Sequence, residues 1–247
     1  MQLELSEVSK TFGGLKAVDS VSFSIDEGSL TAVIGPNGAG KTTLFNLIAG
    51  AIQPSAGRLS FAGRLLPQVS HRVARMGIAR TFQNVRLFHE MTLLENVLCA
   101  WNSGPFFRDS FWPASTREPE RLRMKRACYI LEDLGLGEDR DTRAGDLPFG
   151  KQRLAEIARA LAIQPKMLLL DEPAAGLNRS EGAGLAKIIR HIVSSGVTTL
   201  LVEHDMQLVM NLVERVIVLE SGKLIADGNP AEVSADPRVV EAYLGSE

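Results

Sequence analysis

The sequence predicts an α/β fold built on parallel strands with crossover helices. Three observations carry this. Short apolar runs alternate with stretches of helical periodicity. The runs at 167–170 and 216–219 are continuously apolar, as strands covered on both faces are, and 197–202 is a similar run broken by Thr198 and Thr199. A glycine-rich turn at 35–42 stands between a strand-like run and a helical one.

The elements follow in order. Leu3 and Leu5 alternate with polar residues, and Val18, Val21, Phe23 and Ile25 continue a strand-like start. Residues 30–34 read as a buried strand, and 42–49 as a helix. From about 94 to 162 the pattern is mainly helical, with few β-branched runs. Within it, 104–119 holds three prolines and reads as a loop or broken helix, an ordinary surface insertion. Helical stretches at 154–162, 185–193 and 207–212 each precede one of the three later strands. No internal repeat or low-complexity tract is present.

Composition excludes several classes. The 247 residues suffice for a real core, and 45% apolar content argues against disorder. Net charge is −2, so no global basic field holds nucleic acid or an anionic membrane. Two cysteines, Cys99 and Cys128, make no disulfide framework and suit a reducing compartment. No run approaches the roughly 20 apolar residues of a membrane span. No secretory signal is expected from the first ten residues. Work at a membrane would therefore need spans carried by other chains.

Residues 35–42 read Gly35-Pro36-Asn37-Gly38-Ala39-Gly40-Lys41-Thr42, the pattern G-x-x-x-x-G-K-T. A strand before and a helix after are the context this motif needs. Glycines let backbone N–H groups face inward as an anion nest, and the helix N-terminus adds positive potential. Lys41 suits the β- and γ-phosphates, and the Thr42 hydroxyl suits Mg²⁺. Asp171 ends the apolar run at 167–170, where a carboxylate can hold Mg²⁺ through water. Glu172 follows, and alternation along a strand aims it elsewhere, where it can polarise an attacking water. Read alone, the pair is a solvated strand end. No Asn-Lys and no Asp-x-x-Gly occurs, so the guanine reader and switch of GTPases are missing. Protein kinases use a different glycine loop and an H-R-D loop, also missing.

These residues resemble the ATP-binding cassette (ABC) ATPases over essentially the whole chain. Residues 35–42 are similar to the Walker A motif, with Thr43 after it, and 167–172 to Walker B plus the family's glutamate. Gln83, in Ala79-Arg80-Thr81-Phe82-Gln83-Asn84, resembles the Q-loop. Leu147-Pro148-Phe149-Gly150-Lys151-Gln152-Arg153 occupies the signature position. Ala175-Gly176-Leu177-Asn178 resembles the D-loop, and His204 the switch histidine. Phe12 lies where the family has an aromatic that stacks on adenine. Taken singly, Phe12 reads as core, Gln83 as a solvated loop residue, and His204 as a helix N-terminal residue capped by Asp205.

The signature departs from Leu-Ser-Gly-Gly-Gln. Pro148 brings neither a hydroxyl nor an N–H, though it suits the first turn of a helix. Gly150 keeps its N–H, while Lys151 either supplies charge or faces solvent. Asn178 replaces the usual Asp, and Ala175 the usual Ser. With Glu156-Ile157-Ala158-Arg159, the segment 79–88 and Val239-Val240-Glu241-Ala242-Tyr243-Leu244-Gly245, these departures resemble the ATPase subunits of bacterial branched-chain amino acid importers. Relatives in that group handle urea, short amides or aromatic acids.

The resemblance implies one P-loop NTPase cassette over 1–247, with a mixed or parallel sheet core. A RecA-like core and an N-terminal antiparallel β part would take 1–83 and 164–247, and an inserted helical subdomain 84–163. It implies ATP and Mg²⁺ as cofactors, with Thr42, Gln83 and Asp171 at the metal. Glu172, Gln83 and His204 would be catalytic. Phe12, residues 35–43 and Gly150 would hold nucleotide. Two cassettes would sandwich two ATPs head to tail, Gly150 facing the other chain's phosphates. The expected partners are a second ABC ATPase chain, like or unlike, two integral membrane permease subunits and, indirectly, an extracytoplasmic solute-binding protein. The expected place is the cytoplasmic face of the inner membrane. A permease helix would dock along 84–97, with Phe88, Met91 and Leu94 as groove residues or, alternatively, ordinary core. A soluble ABC protein acting on ribosomes or nucleic acid would need a fused second cassette or a basic extension, and a noncatalytic cassette would not need Lys41, Asp171, Glu172 and His204.

Overall fold

The computed structural model describes residues 1–101 and 120–244. The expected loop at 104–119 and Gly245 lie outside the described residues. Two long strands come first, β1 (Leu3–Phe12) and β2 (Leu15–Ile25), joined by a turn at Gly13 and Gly14. The short buried strand β3 (Leu30–Ile34) leads through the glycine turn to α1 (Lys41–Ile48). Then come β4 (Ala56–Phe61), β5 (Arg64–Leu65), α2 (Ser70–Arg75) and β6 (Ile78–Arg80). Helices α3 (Leu93–Trp101), α4 (Glu120–Asp133) and α5 (Phe149–Ala162) fill the middle of the chain. The last part alternates β7 (Met167–Asp171), α6 (Arg179–Ser194), β8 (Thr198–Val202), α7 (Met206–Leu212), β9 (Arg215–Glu220) and β10 (Lys223–Gly228). It closes on α8 (Pro230–Ala235) and α9 (Pro237–Leu244).

These strands make two sheets. One is antiparallel, in the order β2-β1-β4-β5, and the other is mixed, in the order β10-β9-β3-β8-β7-β6. In the second sheet β9, β3, β8, β7 and β6 are all parallel. Only β10 runs against its neighbour, through a hairpin at Ser221 and Gly222, both at positive φ. The expected α/β fold with an antiparallel N-terminal part is thus what the chain adopts.

Alternation explains why the central strands read as unbroken apolar runs. Leu168 and Leu170 enter one core with α3 to α7, whereas Met167 and Leu169 enter the other with α1 and the antiparallel sheet. Ala32 and Ile34 against Val33, and Val216 and Val218 against Ile217 and Leu219, divide the same way. Successive side chains leave a strand on opposite faces, and both faces are covered here. Fully burying each such side chain contributes about 1.5–3 kcal/mol.

Several elements escape the sequence pattern. β6 is three residues long and β5 two, too short for periodicity to register. β10 and the helices α2, α8 and α9 were likewise not anticipated. Among the described residues no helix is long and apolar enough to cross a membrane.

Candidate active site

Parallel strands end on one edge, and loops after their carboxyl ends share a crevice there. The turn after β3 begins at Gly35, β7 ends in Asp171, β6 leads into Gln83, and β8 leads into His204. The sheet order thus gathers residues far apart in sequence.

The loop at 35–40 needs its glycines for room. Gly35 has φ +149° and Gly40 φ +101°; a Cβ would overlap the Leu219 carbonyl oxygen at the first and the Ala17 carbonyl oxygen at the second. Gly38 also has positive φ, with open space around it, and the Ala39 N–H donates to the Pro36 carbonyl at 3.2 Å. Gly40 caps α1, so Lys41, Thr42 and Thr43 form its first turn, with Thr42 exposed. The Lys41 ammonium donates to the carbonyls of Gly35 (2.6 Å) and Pro36 (2.9 Å). Burial holds its pKa below the usual lysine range, opposed by the nearby Glu172 charge.

Asp171 is buried and paired. Arg80 donates to one of its oxygens at 2.8 Å and to Asn46 at 2.6 Å, its guanidinium lying near the Phe82 ring. The other Asp171 oxygen and the Thr42 hydroxyl are hard oxygen donors of the kind Mg²⁺ takes, so the donor set fits that ion.

Glu172 departs from the strand by a left-handed turn, φ +46°, rather than by simple alternation. For a residue with a Cβ such a conformation costs roughly 1–2 kcal/mol. Its N–H still donates to the Val202 carbonyl at 2.9 Å, tying it to β8. Its carboxylate accepts from the Gln83 amide at 2.7 Å, and His204 Nδ1 lies 3.8 Å from the same oxygen. His204 precedes Asp205, which caps α7 by accepting from the Leu208 N–H at 3.0 Å. The structure therefore brings Gln83, Glu172 and His204 together, with Asp171 one residue away along β7.

Other expected residues resolve individually. Phe12 is 49% exposed, so the reading as strand-end core fails, and Lys10 lies 5.0 Å above its ring. Gly150 lies in the first turn of α5, after the cap residue Pro148. Lys151 is exposed, as the solvent-facing reading has it, and pairs there with Asp139 at 2.6 Å. Phe88 and Met91 are exposed while Leu94 packs on the core, so those three do not share one role. Phe88 also lines a cavity of about 430 Å³ with Phe82, Cys99 and Arg159.

Three participants were missed from the sequence. Arg80 is a charge within a short buried strand, and Glu203 an acid ending an apolar run, a pattern it shares with Asp171. Glu203 accepts from the Ala174 N–H at 2.7 Å and the His204 N–H at 3.2 Å, fixing the loop after Glu172 to the one carrying His204. The third is the buried pair Arg153–Glu156 beneath the turn at Phe82 and Gln83.

Known proteins share this fold. The family description "ABC transporter" matches residues 18–175, which include the phosphate loop, Gln83, Asp171 and Glu172. The chain belongs to the ABC transporter family. The cassette's last residues, 223–247, match the description "Branched-chain amino acid ATP-binding cassette transporter". It is 43% identical to the high-affinity branched-chain amino acid transport ATP-binding protein BraF of Pseudomonas aeruginosa, over 98% of this chain and 97% of that one. It is 40% identical to LivG of Escherichia coli, another such protein, with the same coverage. A solved structure described as the ADP conformation of MJ1267, an ATP-binding cassette of an ABC transporter, superposes with TM-score 0.88. It is 35% identical, over 99% of each chain.

Proposed function

We propose that this cassette hydrolyses ATP to drive a branched-chain amino acid importer. The observation that carries the hydrolytic reading is the meeting of Gln83 and His204 on the Glu172 carboxylate beside the phosphate loop. The cargo reading is supported by the names of the relatives and by the match at 223–247.

Each residue has a task in this reading. Gly35, Pro36, Asn37, Gly38, Ala39, Gly40 and Thr43 form the cradle, with Lys41 on the β- and γ-phosphates. Phe12 offers its exposed ring to adenine. Thr42, Asp171 and Gln83 would hold Mg²⁺, which would supply positive charge to neutralise the phosphates. Glu172 polarises the attacking water. Gln83 and His204 orient that carboxylate and the terminal phosphate. Gly150 faces the nucleotide of a second cassette, like or unlike this one. Residues 84–163 act as a helical subdomain set into a core formed by 1–83 and 164–247.

The same reading places the cassette peripherally on the cytoplasmic face of the membrane, under two permease subunits that a solute-binding protein serves. The cavity holding Phe82 and Phe88 receives a permease helix. That position lets docking reach Gln83 through its neighbour in sequence.

The deciding variant is Glu172→Gln. ATP affinity should stay within a fewfold of the parent, while kcat falls roughly 10²–10⁴-fold, the usual worth of a general base. Turnover near the parent level would remove Glu172 from the reaction. Co-purification from membranes should bring two multispanning proteins and a cassette partner. Recovery with ribosomes or nucleic acid instead would overturn the importer.

A further inference from the structure

We infer that Arg153 and Glu156, one turn apart on α5, are positioning residues that carry Gln83. The inference rests on the catalytic reading of Gln83 given above.

The turn at Phe82 and Gln83 follows β6 after one residue, Thr81, and lies outside the sheet ladder. Buried backbone groups released from a ladder need other partners. Here α5 supplies them. Arg153 donates from Nη1 to the Phe82 carbonyl at 2.8 Å and from Nη2 to the Gln83 carbonyl at 2.7 Å. Glu156 accepts from the Phe82 N–H at 3.3 Å and from Arg153 Nη1 at 3.2 Å. Two side chains thus hold three backbone groups of two consecutive residues. The planar guanidinium fork suits two adjacent carbonyls in a way an ammonium does not.

The burial of this pair needs a reason. Arg153 is 1% exposed and Glu156 2%. Burial pushes the Glu156 carboxyl upward, and Phe82 and Arg153 only partly offset it. Removing two charges from water is costly, and an apolar pair of the same volume often stabilises a core as well or better. Stability alone does not account for the pair, but fixing a polar turn does. The other end of that turn is the Gln83 amide on Glu172, 2.7 Å away.

The helix that holds the turn also begins at the signature segment. Phe149, in its first turn, has its ring 5.5 Å from the Arg153 guanidinium. That ring packs on Gly176, where a Cβ would come within 3.1 Å of it. One side chain therefore touches both the signature end of α5 and the backbone bearing Gln83. A rotation of α5 moves Gln83 relative to Glu172, and the signature segment moves with it.

The test combines kinetics with hydrogen exchange on the full chain. Arg153→Lys keeps the charge but loses the fork. It should lower kcat at least tenfold and change ATP affinity less than twofold. In a Gln83→Ala background the same substitution should change kcat less than twofold, because the residue it positions is gone. Amides at 82–86 should exchange at least tenfold faster in Arg153→Lys, and faster again in Glu156→Ala. Equal losses of kcat in both backgrounds, or unchanged exchange, would overturn the inference. A silent Gln83→Ala with accelerated exchange would instead refute the catalytic reading of Gln83 and leave the clamp on the backbone standing.

Discussion

Glu203 ends β8 with its carboxylate shut away from water. Burial pushes its pKa above the ordinary 4.5, with the Glu172 charge adding to the shift and the Ala174 and His204 N–H groups opposing it. The sign follows from proton counting. Below 4.5 both folded and unfolded chains hold the proton, and the penalty is absent. As pH rises past that value the unfolded chain ionises first, so the native state loses stability until its own pKa is passed. Glu203→Gln removes this titration while keeping the acceptor for Ala174. Its stability relative to the parent should rise between pH 4 and neutrality, as read from urea unfolding at each pH. A difference that stays flat would mean the carboxyl carries no such burden. The neighbouring Glu172, with its left-handed backbone, shows a second cost at the same site, as active sites commonly do.

At the scale of elements, the D-loop departure has a local explanation. Asn178 is the N-cap of α6: its side chain accepts from the Ser180 N–H at 2.9 Å and the Glu181 N–H at 3.0 Å. Glu181 returns the favour by accepting from the Asn178 N–H at 2.9 Å. Asn and Asp cap about equally well, which fits the replacement. Asn178→Ala should cost about 1 kcal/mol, measurable in urea, while Asn178→Asp should cost little. The same scale shows what could be read in advance. β3, β7, β8 and β9 were legible because both faces of each are covered, so their sequences are mainly apolar, with threonine the polar residue that β3 and β8 admit. The phosphate loop was legible because two of its glycines, Gly35 and Gly40, are forced by neighbouring carbonyls. β6 was not, although it delivers Gln83. Its three residues gain their conformation from pairing with β7, a contact that local sequence does not encode. Arg153 and Glu156 stood in the segments that carried the resemblance, but their contact with the turn at Phe82 and Gln83 was invisible for a related reason. An Arg and a Glu three apart on a helix look like an exposed ion pair until the turn they hold is known.

Across the whole molecule, charge is unevenly divided. From Gly28 to His89 no Asp or Glu occurs, while Lys41 and six arginines do. A chain with net charge −2 thus carries a stretch of sequence rich in cations that includes Lys41 of the phosphate loop and Arg80, which pairs with Asp171. Such a surplus of positive charge attracts anions, so nucleotide association should slow as salt rises. Binding should also stabilise the fold as a unit. ATP at a hundredfold excess over its Kd contributes about 2.7 kcal/mol. For a chain of this size that raises Tm by roughly 5–10 °C. Lys41→Ala should lose most of that rise in a thermal scan, and an unchanged rise would detach Lys41 from the phosphates.

Lys41 already has company in its own loop, through the carbonyls of Gly35 and Pro36. A newcomer must therefore outbid two neutral acceptors held at close range. A phosphate oxygen with a full negative charge can do so, since charge-assisted hydrogen bonds are roughly twice as strong as neutral ones. A hydroxyl or a carbonyl cannot. The loop acts as a threshold that sorts ligands by charge before shape is consulted, and nucleosides without phosphate should fall below it.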